Sequence, residues 1–321
     1  MSNLGEFELI DWIREQAGGA DHLALGIGDD CAIQKLGPDQ DLLISTDLLI
    51  EGVHFKREWT TLYNLGRKAA AVNISDIAAM GGAPQSLFLG IGRPAQISDL
   101  DMKELLSGFI YETQMHGAVL AGGDSCGSPG PLMLSVTVQG TVATDEAICR
   151  QGASYGDAIY VSGTLGDSAL ALQLLQAGQI PEKSLAERFH LPSPRVELGK
   201  FLSARQIATA MLDVSDGLLA DLGHILTASE VGAELELDMI PLSAAFQHQQ
   251  SKQPSIRDLA LSGGEDYELV FTSPLKDLAE QTGLTTPVAR IGTITQKGGI
   301  QIRQADGQLY HCQRAGFDHF A

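Results

Sequence analysis

Short apolar runs that break into Gly-, Ser- and Asp-containing turns and then give way to a helical period recur through the whole chain, and they leave few folds open. Asp41-Leu-Leu-Ile-Ser-Thr-Asp47 reads as a strand ending in polar oxygens, with Gly52-Val-His-Phe55 as the loop behind it. Leu62 to Met80 is rich in Ala, lacks Pro and stops at Gly81-Gly82, which is how a helix terminates. Gln85 to Gly92 predicts another strand, and Ser98 caps a helix whose Met102, Leu105, Leu106, Phe109 and Ile110 keep a 3.6-residue period. Ala118 to Ala121 predicts a strand that ends in a Gly122-Gly-Asp-Ser125 turn, and the alternation of Leu132, Leu134, Val136 and Val138 closes a first sheet. A second unit opens near Arg150, with a strand in Gly156 to Gly163 and an apolar helix through Leu175. Leu191-Pro-Ser-Pro-Arg195 is a rigid connector before a helix over Val196 to Leu202. Ala208 to Leu212, Glu234 to Leu237, Glu268 to Thr272 and Arg290 to Ile294 predict strands, and Leu218 to Ala228 a helix. At the start of the chain Phe7, Leu9, Ile10 and Ile13 mark a short amphipathic helix. The order predicts an α/β (α+β) fold rather than a clean βαβ repeat. A length of 321 residues, 44% of them apolar, suits two cores, divided as domains 1–148 and 149–321.

Seven aspartates occupy those turns and strand ends: Asp29 and Asp30 in Gly-Ile-Gly-Asp-Asp-Cys, Asp47, Asp76, Asp124, and Asp213 and Asp216 in Asp-Val-Ser-Asp-Gly. Acids on a solvated face usually alternate with Lys, Glu and Gln, whereas these are flanked by Gly, Ser, Thr and aliphatic residues. A single Asp of this kind is ordinarily a cap or turn residue; so many in such settings point to a cage of hard oxygen donors suited to Mg²⁺, and through it to phosphate chemistry. Asn73 and Asp76 are three apart and share a helix face. Forty acids against twenty-one bases give a net charge of −19, which repels nucleic acid and anionic membrane and would repel an anionic substrate unless divalent cations intervened. No apolar window approaches the roughly 18 residues of a span, and the first residues lack a basic region before an apolar run; the expectation is a soluble cytoplasmic protein. Cys31, Cys126, Cys149 and Cys312 are scattered without a C-x-x-C pair and are expected to be reduced and mostly buried.

The usual phosphate cradles are missing. No G-x-x-x-x-G-K-[ST] occurs, and Gly26-Ile-Gly-Asp-Asp-Cys31 breaks G-x-G-x-x-G at its last position. Gly122-Gly123 could let backbone N–H groups approach phosphate, with Asp124 holding a metal alongside. ATP and a monophosphate together carry on the order of six negative charges, which requires more than one Mg²⁺ beside several carboxylates. Phosphoryl transfer needs positioning and neutralisation more than covalent chemistry.

Gly26-Ile-Gly-Asp-Asp-Cys-Ala32, Ile44-Ser-Thr-Asp47 with Gly52-x-His-Phe55, Ala71-Val-Asn-Ile-Ser-Asp-Ile-Ala-Ala-Met-Gly81, Gly122-Gly-Asp124, Asp213-Val-Ser-Asp-Gly217 and Ser262-Gly-Gly-Glu-Asp-Tyr-Glu-Leu269 together resemble the thiamine-monophosphate kinase family, in order and spacing, from Gly5-Glu-Phe7 to Gly316-Phe-Asp-His-Phe320. The resemblance implies a two-domain aminoimidazole ribonucleotide synthetase-like fold: an N-terminal domain whose sheet pairs with a second subunit's into a barrel, hence a homodimer, and a C-terminal α/β domain completing the nucleotide and substrate site. It implies direct transfer of the ATP γ-phosphoryl onto thiamine monophosphate, without a phosphoenzyme. By matching motif, Asp30, Ser45, Thr46, Asp47, Asp76, Asp124, Asp213 and Asp216 would hold Mg²⁺, several per site. Gly123, Asp124, Arg150 and Ser215 would contact ATP, and His54, Glu265 and Phe317 the thiamine part. The chemistry suits these types, since an aromatic can stack on a thiazolium or pyrimidine ring and Glu265 can bond an aminopyrimidine. By default His54 would be a satisfied loop residue, Phe317 a hydrophobic plug and Arg150 a solvated surface residue.

His116 stands where the resembled enzymes often carry Tyr, and Ser125 where Thr is common. Two other readings compete. A sister ATP-dependent enzyme is one, although a hydrogenase maturation factor would want a reactive C-terminal cysteine and Cys312 is followed by nine residues, while a selenide dikinase would want a nucleophilic Cys or selenocysteine near its Gly-rich N-terminus. An acidic cation- or nucleotide-binding protein without turnover is the other.

Overall fold

The computed structural model describes residues 6–25, 33–34, 36–278, 283, 286–296 and 298–312. Asp29, Asp30 and the rest of 26–32, Phe317 and the closing segment 313–321 lie outside the described residues. The chain divides into two units, 1–77 with 82–145, and 78–81 with 146–321.

The first unit begins with helix α1 (Glu6–Ala17) and the short antiparallel pair β1 (Leu23–Leu25) and β2 (Ile33–Gln34). It continues through β3 (Gln40–Ile50), α2 (Leu62–Ala79), β4 (Ala83–Pro94), α3 (Asp99–Met115), β5 (Val119–Ser128) and β6 (Met133–Ala143). The sheet order is β3-β6-β4-β5; β4 and β5 run parallel and the other neighbours antiparallel. Alternation decides the faces. Leu134, Val136 and Val138 of β6 and Leu87, Leu89 and Ile91 of β4 are buried. On β3, Leu43 and Leu49 are buried while Leu42, Ile44 and Leu48 are exposed, Ile44 by 60%. Helix α2 buries Ala69, Ala70, Ile74 and Ile77, and ends where Gly82 N–H reaches Ile77 O. Ser98 caps α3 in a full capping box, its hydroxyl taking the Asp101 N–H while the Asp101 carboxylate takes the Ser98 N–H. The helices α2 and α3 meet at glycines. A Cβ on Gly66 would stand 1.9 Å from Leu105 O, and one on Gly108 1.9 Å from Tyr63 O.

The expected turn at Gly122 to Ser125 is instead strand. A register shift at Leu87/Phe88 on β4 lets β5 run on, with Gly123 opposite Leu89 and Asp124 opposite Gly90. The glycines serve that approach: a Cβ on Gly123 would lie 2.1 Å from Leu89 O, and one on Gly122 3.0 Å from the Phe88 ring.

The second unit contains β7 (Ala158–Ser162), α4 (Asp167–Gln176), α5 (Lys183–His190), α6 (Val196–Ala204), β8 (Ala210–Asp213), α7 (Leu218–Ser229), β9 (Gly232–Glu236), α8 (Ala244–Lys252), α9 (Leu259–Ser262), β10 (Leu269–Ser273), β11 (Val288–Thr295), β12 (Ile300–Arg303) and β13 (Leu309–Tyr310). Its seven strands are ordered β13-β12-β9-β11-β7-β10-β8, antiparallel except for β12 beside β9. Every residue of β7, β8 and β10 is buried, which explains their continuous apolar runs. Tyr160 and Phe271 stack at 5.3 Å beside Leu198, Leu202 and Met211. Helix α5 and the strands β12 and β13 were not anticipated from the sequence. Contrary to the expectation of buried thiols, Cys126 and Cys149 are free and exposed and Cys312 is half-buried; Cys126 lies on the outer stretch of β5, where Gly123 and Asp124 are already exposed. Among the described residues no helix is long and apolar enough to cross a membrane.

Candidate active site

In the first unit, strand alternation places Ser45 and Asp47 on the same face of β3 as buried Leu43 and Leu49. Helix α2 brings Asp76 to this face, and the Ser45 hydroxyl donates to Asp76 Oδ2 at 2.6 Å. Burial pushes the Asp47 carboxyl above its ordinary range, and the positive charge available at His54 pulls part of the way back. The loop after β3 folds so that His54 Nδ1 accepts the Ile50 N–H at 3.0 Å. In the neutral imidazole this leaves the proton on Nε2. Thr46 points the other way. Its hydroxyl donates to Val136 O at 2.9 Å and accepts from the Thr137 hydroxyl at 3.2 Å, so the two-residue period of the strand turns this hydroxyl away from the face that carries Ser45 and Asp47.

Asp124 is exposed on β5, and its carboxylate makes no hydrogen bond or ion pair among the described residues. Asn73 shares the helix with Asp76 but is buried, its Nδ2 donating back to Ala69 O. His116 bonds Glu112 Oε1 at 3.2 Å, and Arg67 bonds the other oxygen at 2.7 Å. Within either unit, no three Asp, Glu, His or Cys side chains among the described residues form a metal-holding cluster. The donors that do meet are nevertheless of the right kind for Mg²⁺. They are a hydroxyl and carboxylates, all oxygen, with Asp47 drawn out of water without a Lys or Arg bonded to it among the described residues, a desolvation that a hard cation offsets.

In the second unit, Asp213 closes β8, and the turn after it is tied to the segment before β10. Val214 N–H donates to Glu268 O (2.7 Å), Tyr267 N–H to Val214 O (2.9 Å) and Glu265 N–H to Ser215 O (2.8 Å). A Cβ on Gly264 would lie 2.4 Å from Ser215 O. The structure thus brings Asp213, Ser215, Asp216 and Glu265 into one composite turn. Below it, Asp221 of α7 accepts the N–H groups of Ser215, Asp216 and Gly217 on one oxygen at 3.0, 3.1 and 3.0 Å. Burial raises its carboxyl to about 7, with the Asp216 charge adding to the shift. Arg150 is exposed, its carbonyl accepting from the Ser229 hydroxyl; no bond among the described residues joins it to this turn.

The chain matches the models for AIR synthase related protein, N-terminal domain, over residues 28–142, and C-terminal domain, over residues 154–304. It is 38% identical to the thiamine-monophosphate kinase of Haemophilus influenzae, with 99% of this chain and 98% of that protein covered. The crystal structure of thiamine-monophosphate kinase from Stenotrophomonas maltophilia K279a superposes with a TM-score of 0.84 at 40% identity, over 96% of this chain and 98% of that one. A structure of AaThiL complexed with AMPPCP and TMP superposes with a TM-score of 0.78 at 31% identity, over 98% and 97% of the two chains. The chain belongs to the thiamine-monophosphate kinase family.

Three acids of this family member were missed from the sequence, and each supports the composite turn. Asp221 looks like a solvated helix acid until its three N–H partners are seen. Asp266 is fully buried and accepts the Gly166 N–H at the start of α4 at 2.7 Å; burial raises its carboxyl to about 8. Glu268, with no exposed surface, accepts from Arg188 (2.7 Å), from Arg195 by two nitrogens (2.6 and 2.5 Å) and from the Ser162 hydroxyl (2.5 Å). Glu265 and Tyr267, on either side of Asp266, hold φ of +70° and +50°. Such left-handed non-glycine residues cost roughly 1–2 kcal/mol each and persist only where their surroundings impose them. Gly163 leaves the room that Glu268 occupies, since a Cβ there would fall 2.1 Å from Glu268 Oε1.

Proposed function

We propose that the protein transfers the γ-phosphoryl group of ATP to the phosphate of thiamine monophosphate, giving thiamine diphosphate and ADP. The observation that carries this reading is likeness over nearly the whole chain to a protein complexed with AMPPCP, an ATP analogue, and TMP, and full-length likeness to thiamine-monophosphate kinases supports it. An acceptor phosphate oxygen attacks the γ-phosphorus in line, the bridge to the β-phosphate breaks, and the electron pair leaves on ADP. The acceptor is already ionised at pH 7, so no strong general base is required, and none is assigned.

Mg²⁺ bound with the nucleotide supplies neutralisation for the on the order of six phosphate charges. In this reading Ser45, Asp47 and Asp76, with the main chain of Thr46, hold metal in the first unit, together with Asp30 and Asp124; Asp213 and Asp216 do so in the second. Ser45 orients the Asp76 carboxylate through its 2.6 Å bond. Gly123, Asp124, Arg150 and Ser215 take the nucleotide, and His54, Glu265 and Phe317 the thiamine part. Domain 1–148 is then the ATP- and Mg²⁺-binding, dimer-forming part, and 149–321 completes the nucleotide and substrate site. The homodimer reading is supported by Leu42, Ile44 and Leu48, exposed in a row on one face of β3 at 38%, 60% and 53%, a surface suited to pairing with a second copy's sheet. Both substrates carry phosphates that do not pass a bilayer unaided, which fits action in the cytoplasm.

The test is an assay for ADP and thiamine diphosphate with ATP, thiamine monophosphate and Mg²⁺ raised from below to well above the ATP concentration, with free thiamine as control acceptor. Equal amounts of the two products from the monophosphate alone, and a rate that keeps rising beyond one Mg²⁺ per ATP, are expected. ATP binding without product would replace the kinase by a binder or sister enzyme, and saturation at one equivalent would sink the multi-metal site.

A further inference from the structure

We propose that Arg188 and Arg195, closing over the buried carboxylate of Glu268, form a positioning device for acceptor binding: they hold the segment that carries the left-handed Glu265 and Tyr267 and so set Glu265 toward the thiamine part. This rests on the reading of Glu265 given above. Asp266 and Glu268 are buried, while Glu265 and Tyr267 are half-exposed, so the segment points its ties inward and its candidate contact outward. The inward ties are charged and geometrically exact in kind: a planar guanidinium grips both oxygens of Glu268 from Arg195, and Arg188 adds a third bond.

Each arginine is itself placed. Arg188 lies on α5 and its Nη2 also donates to Asp266 O at 3.1 Å and Thr164 O at 3.4 Å, so it touches the turn as well as the clamp. Arg195 follows Leu191-Pro-Ser-Pro, whose two rings restrict the path into α6. An ion group built on a buried carboxylate such as Glu268 gives little stability over apolar residues of the same volume, while leaving that carboxylate unpaired is costly. Its use here is therefore directional: it fixes where a strained main chain runs, and the same main chain carries Glu265, whose N–H meets Ser215 O.

Arg195→Lys keeps the charge and removes the fork. Amide hydrogen exchange of peptides covering 263–268, acceptor and ATP KM, and the global Tm are measured in wild type, Arg195→Lys, Glu265→Gln and the double variant. Exchange in 263–268 should speed roughly tenfold or more, with the rest of the second unit unchanged. The acceptor KM should rise about tenfold while the ATP KM stays within about twofold, and the double variant should be no worse than Glu265→Gln alone. Unchanged exchange in folded Arg195→Lys overturns the clamp, whatever the activity. Faster exchange with an unchanged acceptor KM, or fully additive effects, overturns positioning. A wild-type acceptor KM in Glu265→Gln would instead sink the reading of Glu265, and exchange would still decide the clamp. Arg188→Lys carries the same readings if Arg195→Lys does not fold.

Discussion

In the first unit the acids proposed to hold Mg²⁺ project from regular elements, Asp47 from β3, Asp76 from α2 and Asp124 from β5, and Ser45 donates its hydroxyl to Asp76. In the second unit Asp213 ends β8 and Asp216 sits on the turn after it, a composite turn that Asp221, Asp266 and Glu268 tie down from beneath. A strand or helix fixes its own backbone through its ladder, so its side chains need little further support. A turn has no ladder, and other buried carboxylates supply the missing constraints. An acid-rich motif therefore mixes two populations, those that face ligand and those that face the main chain.

The largest effect expected from this contrast is at Asp76. Asp76→Asn keeps size and hydrogen bonding but removes charge, so turnover should fall on the order of a thousandfold or more with Tm unchanged. Turnover near wild type at matched Mg²⁺ would remove Asp76 from the metal set. The opposite signature belongs to Asp221. Asp221→Ala strands three N–H groups and should cost about 2–4 kcal/mol of stability, read from urea unfolding of the second unit, with activity lost because the turn is lost. Full stability in that variant would mean that the turn holds itself.

A pH experiment probes Asp266 more gently. Burial lifts its carboxyl to about 8 from an ordinary 3.8, so between those values the folded state binds a proton that the unfolded chain has released. The stabilisation is full below about 3.8 and is lost as pH rises through about 8. The urea midpoint should fall between pH 6 and pH 9, and Asp266→Asn should flatten that fall; an identical slope in the variant would count against it. The smallest effect is assigned to Thr46→Val, which should change turnover by less than about threefold, because strand alternation turns the hydroxyl to the opposite face. A loss as large as that of Asp76→Asn would put the hydroxyl in the metal site.

Much of the fold could be read in the chain because its signals are local. Ser98 with Asp101, the Ala-rich stretch stopped at Gly81-Gly82, and the alternation of Leu134, Val136 and Val138 each act within a few residues. Helix α5 escaped because it is only eight residues long and no side chain caps its start. Gly122-Gly123 looked like a phosphate loop because a bulged strand and a loop ask for the same residue. On the candidate site the two motifs of the second unit were visible, but their interlocking was not. Glu268 meets partners 80 and 73 residues away, and no local pattern marks which acid of Gly-Glu-Asp-Tyr-Glu turns inward.

Every glycine codon lies one base from an alanine codon, so the chemically mildest change is always one step away at Gly66 and Gly108. Neither position can accept it, since each new methyl would occupy the place of a carbonyl oxygen on the other helix. What the two glycines set is the distance between two backbones.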